Sequence, residues 1–266
     1  MRRLQERVDA VPVWWHSIDL GDGVVTPGRK TDGHDAFLER ELRALQLPDL
    51  RGKAVLDIGA WDGYYSFAAE RLGASRVVAL DHFVWSIDWA RAIAESDEPD
   101  AAGVRFADLD AIAAVSDPER LPGKQGFDVA HEALGSRVEA VVDDFMTTDL
   151  DRLGTFDVVL YLGVLYHMEN PLAALRRLRR VTREVAVIET QATELEGIPE
   201  GAVCEFFPGA ELADDPTNWW SPNLDALHGL CRAAGFARVE TIAGPPRHRR
   251  RRDRLRYRAI VHAWAA

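Results

Sequence analysis

Cysteine is nearly absent from this chain: Cys204 and Cys231 are the only two in 266 residues. They permit at most one disulfide and lack metal-site spacing, so the sequence predicts reduced core thiols in an intracellular protein. No apolar run approaches the roughly 18 residues of a membrane span. The N-terminus, MRRLQERVDA, leads into no apolar segment, so no signal peptide is expected. Positive charge is also short, with 32 Lys and Arg against 43 Asp and Glu and a net charge of −11. That balance excludes a protein that coats nucleic acid with its whole surface, which needs cations to displace counterions from phosphate. His131-Glu132 lacks the second histidine of a zinc helix, and no G-x-S-x-G nucleophile elbow occurs, so neither a metal nor a serine nucleophile is expected. A soluble, cytoplasmic, globular protein with no membrane partner is left, and 47% apolar and 28% charged residues agree with it.

What is present is a regular alternation. Strand-like runs at 54–58, 76–80, 138–142, 156–160 and 185–189 alternate with helical spacing at 64–72, 127–134, 171–181 and 224–234. Such alternation predicts βαβ units around a largely parallel sheet. Strand-like runs at 238–242 and 257–264, with no helix between them, predict a closing antiparallel hairpin. Residues 1–52 read as an N-terminal lid or extension, and 53–266 as the main domain with insertions at 84–126 and 191–223. Seven of the eight tryptophans lie in these additions or in the first glycine loop. In open α/β sheets ligands bind beyond the carboxyl ends of the strands, where the two insertions emerge.

The most informative string is VLDIGAWDGY, residues 55–64. A strand runs into Gly59, and Gly63 opens a helix whose N-terminus offers free N–H groups. A dinucleotide fingerprint would place glycine at position 61, where this chain has Trp61; an indole there argues against a pyrophosphate. Asp57, at the end of the first strand, suits a cationic ligand. Asp81 ends the second strand, placed for ribose hydroxyls. Asp144, with Phe145, follows the third, placed for adenine. Acids at the ends of three consecutive strands fit S-adenosylmethionine (SAM), a sulfonium that carries an ammonium.

These residues resemble the class I SAM-dependent methyltransferases over roughly 53–265, which implies a Rossmann-like seven-stranded α/β sheet with a C-terminal antiparallel hairpin. Gly163-Val-Leu-Tyr166-His167-Met-Glu-Asn-Pro-Leu172, Val187-Ile-Glu-Thr190 and Tyr257-Arg258-Ala-Ile-Val261 are similar to the carboxy-SAM-dependent tRNA wobble-uridine carboxymethyltransferases. That resemblance implies that Tyr166 and Arg258 help to hold the extra carboxylate of carboxy-SAM, the alternative donor. The candidate cofactor set is Asp57, Gly59, Ala60, Trp61, Gly63, Asp81, Asp144, Phe145, Leu162 and Arg258.

Methyl transfer from a sulfonium needs alignment of donor and acceptor and, for a hydroxyl acceptor, a base. His167 as that base and Tyr166 as a positioning group are the catalytic candidates. His16, His34 and His82 rank below them because nothing in the sequence orients them. Glu189 reads as a solvated or arginine-paired residue. Residues 247–258 hold eight arginines and one aspartate, so the rest of the chain carries 24 basic against 42 acidic residues, a net −18. That run is either a solvated hairpin tip or a phosphate-binding finger. Methylation of a small molecule, a sugar or secondary metabolite, most readily at oxygen, is the first expectation. A tRNA methyl- or carboxymethyltransferase is the second, and a non-catalytic SAM-fold binding protein the third.

Overall fold

A computed structural model of the chain describes residues 2–29, 35–95, 104–195, 201–246 and 254–266. The side chains of 35–38 and 254 stand outside that description, as does most of the arginine run. Two compact units emerge: Met1–Arg43 with Pro48–Asp144, and Ala44–Leu47 with Phe145–Ala266.

The first unit holds β1 (Ala54–Ile58), β2 (Arg76–Asp81) and β3 (Glu139–Val142). β2 pairs in parallel with both neighbours. β1 and β2 are apolar on both faces, the pattern of parallel strands covered on either side. β3 exposes Glu139, Ala140 and Val142, as an edge strand does. Residue 81 pairs with Val142 and Ile58 with Leu80, so the carboxyl ends of the three strands lie level. The 84–126 insertion folds as short helices Phe83–Ser86, Trp89–Glu95 and Leu109–Ala114. Ile87, Ala92, Ile112 and Val115 give it a small core of its own, with Trp89, Val104 and Phe106 against it.

The second unit holds β4 (Phe156–Leu162), β5 (Thr182–Leu195), β6 (Cys204–Phe206), β7 (Trp220–Pro222), β8 (Arg238–Ala243) and β9 (Arg254–Trp264). Helix Pro171–Val181 crosses from β4 to β5; Pro171 starts it, and the Asn170 side chain caps it by accepting from Ala173 N at 3.0 Å. Ala174, Leu175, Leu178 and Val181 form its buried face. The seven strands of the principal sheet follow the order β3-β2-β1-β4-β5-β9-β8, and β6 and β7 form a separate pair. This is the Rossmann-like, mostly parallel sheet with an antiparallel end that the sequence predicts.

Three expectations need correction. β5 continues to Leu195 rather than ending near 189, because β9 pairs with it antiparallel from Val185↔Trp264 to Leu195↔Arg254. The described part of 191–223 therefore includes the continuation of β5 to Leu195 and the β6–β7 pair, rather than being wholly an insertion. Cys231 is a buried thiol, but Cys204 is exposed at the start of β6, where the alternation of a two-stranded ribbon turns it outward; both are free. The expected hairpin tip at 247–253 lies outside the described residues. No helix among the described residues is long and apolar enough to cross a membrane.

Candidate active site

In the first unit the glycine loop leaves β1 along a path set by its own amides. Gly59 N donates to Leu80 O at 2.8 Å, and Gly63 N to Ala60 O at 2.8 Å. Gly63 has φ +85°, and a Cβ there would stand 2.5 Å from Phe67 Cε2 and 2.8 Å from Phe127 Cδ2, so no side chain fits. Trp61 also takes a left-handed conformation, φ 49°, which is rare for a bulky residue. Its amide donates to Asp81 Oδ2 at 3.0 Å, and its carbonyl accepts from Trp85 Nε1 at 2.6 Å. Its ring stacks on Trp15 at 4.7 Å and on Trp89 at 5.7 Å, a ladder of three indoles. The ladder joins three separate segments: the N-terminal extension, the first glycine loop and the 84–126 insertion.

Asp57 is 2% exposed and accepts from Ser66 Oγ at 2.6 Å. Burial pushes its carboxyl up to about 7, with repulsion from Asp81 and Asp62 adding to the effect and the Ser66 bond opposing it. Asp81 is also raised by burial, against which the amides of Trp61 and Val84 pull. Asp144 is half-buried beyond β3, its amide donating to Asp143 Oδ1 at 2.9 Å. Sequence reasoning left Asp62 unassigned. It is buried, accepts the amides of Trp15 and His16 at 2.9 and 2.7 Å, and meets His16 Nδ1 at 2.6 Å. It thereby orients His16, which the sequence left without a partner. A contact spanning 46 residues leaves no local signal.

In the second unit β4 ends at half-buried Leu162, and the chain turns at Gly163, φ +73°. A Cβ there would lie 3.3 Å from Tyr166 Oη and 3.5 Å from Arg258 Nη2. Arg258 lies over the Tyr166 ring at 4.8 Å and makes a two-pronged ion pair with Glu189 through Nε and Nη2. The Arg258 side chain is 44% exposed and that of Glu189 16%. Burial raises the Tyr166 phenol, and Arg258 opposes that shift. His167 Nδ1 meets Thr217 Oγ1 at 2.7 Å and Thr217 O at 3.2 Å. Burial lowers the His167 imidazolium, with Asp215 opposing. Phe145 is buried, its ring 6.0 Å from Tyr161 and its carbonyl held by Arg177 Nε at 2.7 Å. Arg256 pairs with Glu205 at 3.2 Å and covers the Phe207 ring.

The predicted residues thus gather as two sets. Asp57, Gly59, Ala60, Trp61, Gly63 and Asp81 form one, with Asp144 beyond β3; Leu162, Tyr166, His167 and Arg258 form the other, and Phe145 packs inside the second unit. Among the described residues no cluster of three or more His, Cys, Asp or Glu side chains is arranged to hold a metal.

The tRNA U34 carboxymethyltransferase of Campylobacter lari is 24% identical over 208 residues, 78% of this chain and 57% of that protein. The enzyme of the same name from Desulfotalea psychrophila is 25% identical over 210 residues, 78% of this chain and 53% of its own. The chain therefore spans little more than half the length of these relatives. The crystal structure of the N-terminal domain of EvdMO1, in the presence of SAH and D-fucose, superposes with TM-score 0.61 at 19% identity, covering 100% of this chain and 97% of that one. The sequence profile of the family described as "Methyltransferase domain" matches residues 32–241, more than three quarters of the chain. With that match, the strand order and the acids at the strand ends, the chain belongs to the methyltransferase-domain family of the class I SAM-dependent fold.

Proposed function

We propose that the protein is a cytoplasmic SAM-dependent O-methyltransferase with a small-molecule acceptor, a sugar or secondary metabolite. Bound SAM supplies a methyl group on a sulfonium. Asp57 and the loop of Gly59, Ala60, Trp61 and Gly63 are assigned to its methionine part, Asp81 to the ribose hydroxyls, and Asp144 with Phe145 to adenine. Leu162 and Arg258 complete the set. A buried carboxyl raised to about 7 by burial and neighbouring acids is one that a cation would relieve, which supports the fit. His167 takes the proton of the acceptor hydroxyl, and Tyr166 positions the reacting groups.

The observation that carries the choice of methyl over carboxymethyl is the Arg258–Glu189 pair. A carboxymethyl donor brings a carboxylate that requires an uncompensated cation. Here the guanidinium fork is already filled by an internal carboxylate. The net charge of −11 favours a small acceptor over tRNA, and the arginines of β9 at 256 and 258 are both neutralised locally. A tRNA carboxymethyltransferase is the second reading; the names of the relatives and the arginines of 247–258 favour it.

The test is turnover with methyl-labelled SAM on D-fucose (the sugar in the EvdMO1 crystal), other deoxyhexoses, phenolic metabolites and bulk tRNA. Mass spectrometry of any ligand carried through purification accompanies it. Label in a sugar or phenol, with SAM or S-adenosylhomocysteine bound, is the expected result. Carboxy-SAM in the purified protein, or tRNA binding with a steep salt dependence and turnover on tRNA alone, would overturn it.

A further inference from the structure

His167 is held from behind by a hydrogen-bonded chain whose direction can be worked out atom by atom. Asp215 Oδ1 accepts from the Thr217 amide at 2.8 Å and from Thr217 Oγ1 at 2.7 Å. An ionised carboxylate only accepts, so the Thr217 hydroxyl proton points at Asp215. Thr217 Oγ1 then offers His167 Nδ1 only lone pairs, and the second neighbour of Nδ1, the Thr217 carbonyl at 3.2 Å, also only accepts. Nδ1 must therefore carry the proton, which leaves the lone pair of the neutral ring on Nε2. Nε2 has no hydrogen-bond partner among the described residues.

The segment that carries Asp215 is itself pinned. Asp215 N donates to Leu212 O at 3.3 Å, Asn218 Nδ2 to Leu212 O at 2.7 Å, and Trp219 N to Tyr166 O at 2.8 Å. Ala213 and Asp214 take left-handed conformations, φ 59° and 55°, to bring Asp215 round. Two consecutive non-glycine residues there are strained, and strain of that kind persists where the surroundings demand it.

We infer that Asp215 is a positioning residue: through the Thr217 hydroxyl, its carboxylate locks His167 with the proton on Nδ1 and the lone pair on Nε2. This rests on the reading of His167 as the base. In the transfer, the acceptor oxygen bonds to the methyl carbon and its proton passes to Nε2. The carbon–sulfur bond breaks with its electron pair retained by sulfur, which thereby loses its charge. A ring in the other tautomer would present N–H to the acceptor and take no proton. Asp215→Asn removes the obligatory acceptor: a carboxamide nitrogen donating to Thr217 Oγ1 frees the hydroxyl proton to point at Nδ1 and reverses the tautomer.

The test is nitrogen-15 NMR of the full chain labelled at histidine, with the His167 signals assigned by His167→Gln. The wild type is expected as the Nδ1–H tautomer. Asp215→Asn is expected to give a substantial Nε2–H population, whereas Thr217→Ser, Asp215→Glu and Thr217→Val, which keeps the backbone carbonyl as an acceptor for Nδ1, are expected to keep the wild-type signature. The titration midpoint of His167 is expected to fall in Asp215→Asn, because the attracting carboxylate is lost while Arg258 still repels the imidazolium; the Tyr166 ring and Glu189 beside Arg258 are unchanged. Turnover on an acceptor found in the panel above should fall about 10- to 100-fold in Asp215→Asn and recover in Asp215→Glu. A wild-type Nε2–H ring, or a tautomer indifferent to Asp215→Asn, overturns the inference. A tautomer that moves as expected while His167→Gln keeps full turnover overturns only the assignment of His167 as base.

Discussion

Asp57 links one residue's burial to the behaviour of the ligand-free protein. Its carboxyl stands near 7 in the folded state against about 3.9 when unfolded. Between those values the folded chain binds the extra proton, so stability falls as pH rises from about 4 to about 7 and stays lowered above that. Asp57→Asn removes this cost: its melting temperature should match wild type near pH 4 and exceed it at pH 8 in the absence of ligand. The same variant should lose the stabilisation that SAM confers. Scanning fluorimetry across pH checks both, and a pH-independent difference would remove Asp57 from this role. Glu189 is the complementary case. Glu189→Gln leaves the Arg258 fork uncompensated, and a charge-assisted contact is worth about 1.5–3 kcal/mol. Affinity for a carboxylate-bearing donor such as carboxy-SAM should therefore rise roughly 10- to 100-fold, read by calorimetry. An unchanged affinity would mean that the pair does not select the donor.

The joint between β1 and the helix Tyr64–Arg71 is where local geometry is tightest. Gly63→Ala meets both a left-handed φ and a Cβ within 3 Å of two phenylalanine rings, and should destabilise by about 2–4 kcal/mol, measured by urea unfolding. Trp61→Gly works in two directions. It relieves about 1–2 kcal/mol of left-handed strain but removes two stacked contacts of about 0.5–1.5 kcal/mol each, together with the area they bury. Net destabilisation is expected, with the larger change in the fluorescence of Trp15 and Trp89. A gain in stability would show that the ladder contributes less than the strain. At this scale much was legible. The buried runs AVLDI and FDVVL and the Asn170-Pro171 start are local signals, and the elements formed there. The length of β5 was not legible, because it is set by β9, which follows it by some sixty residues.

Across the whole molecule charge is unevenly distributed, with a strongly acidic chain and one arginine-rich run. Replacing arginines 247 and 249–252 by glutamine takes the net charge from −11 to −16. For a small-molecule enzyme, SAM affinity and turnover should stay within about twofold while retention of bulk tRNA on filters falls. Loss of turnover would favour the tRNA reading.

The sequence by itself determined the class of fold and the placement of the acids at the strand ends. Strand and helix periodicity, glycine punctuation and strand-end carboxylates are written into neighbouring residues. Tertiary structure alone decided which charges are spent and which remain available. It filled the Arg258 fork with Glu189, set Asp62 on His16, and ran Asp215 through Thr217 to His167. Each of these joins residues far apart in the chain, through geometry that no local pattern records.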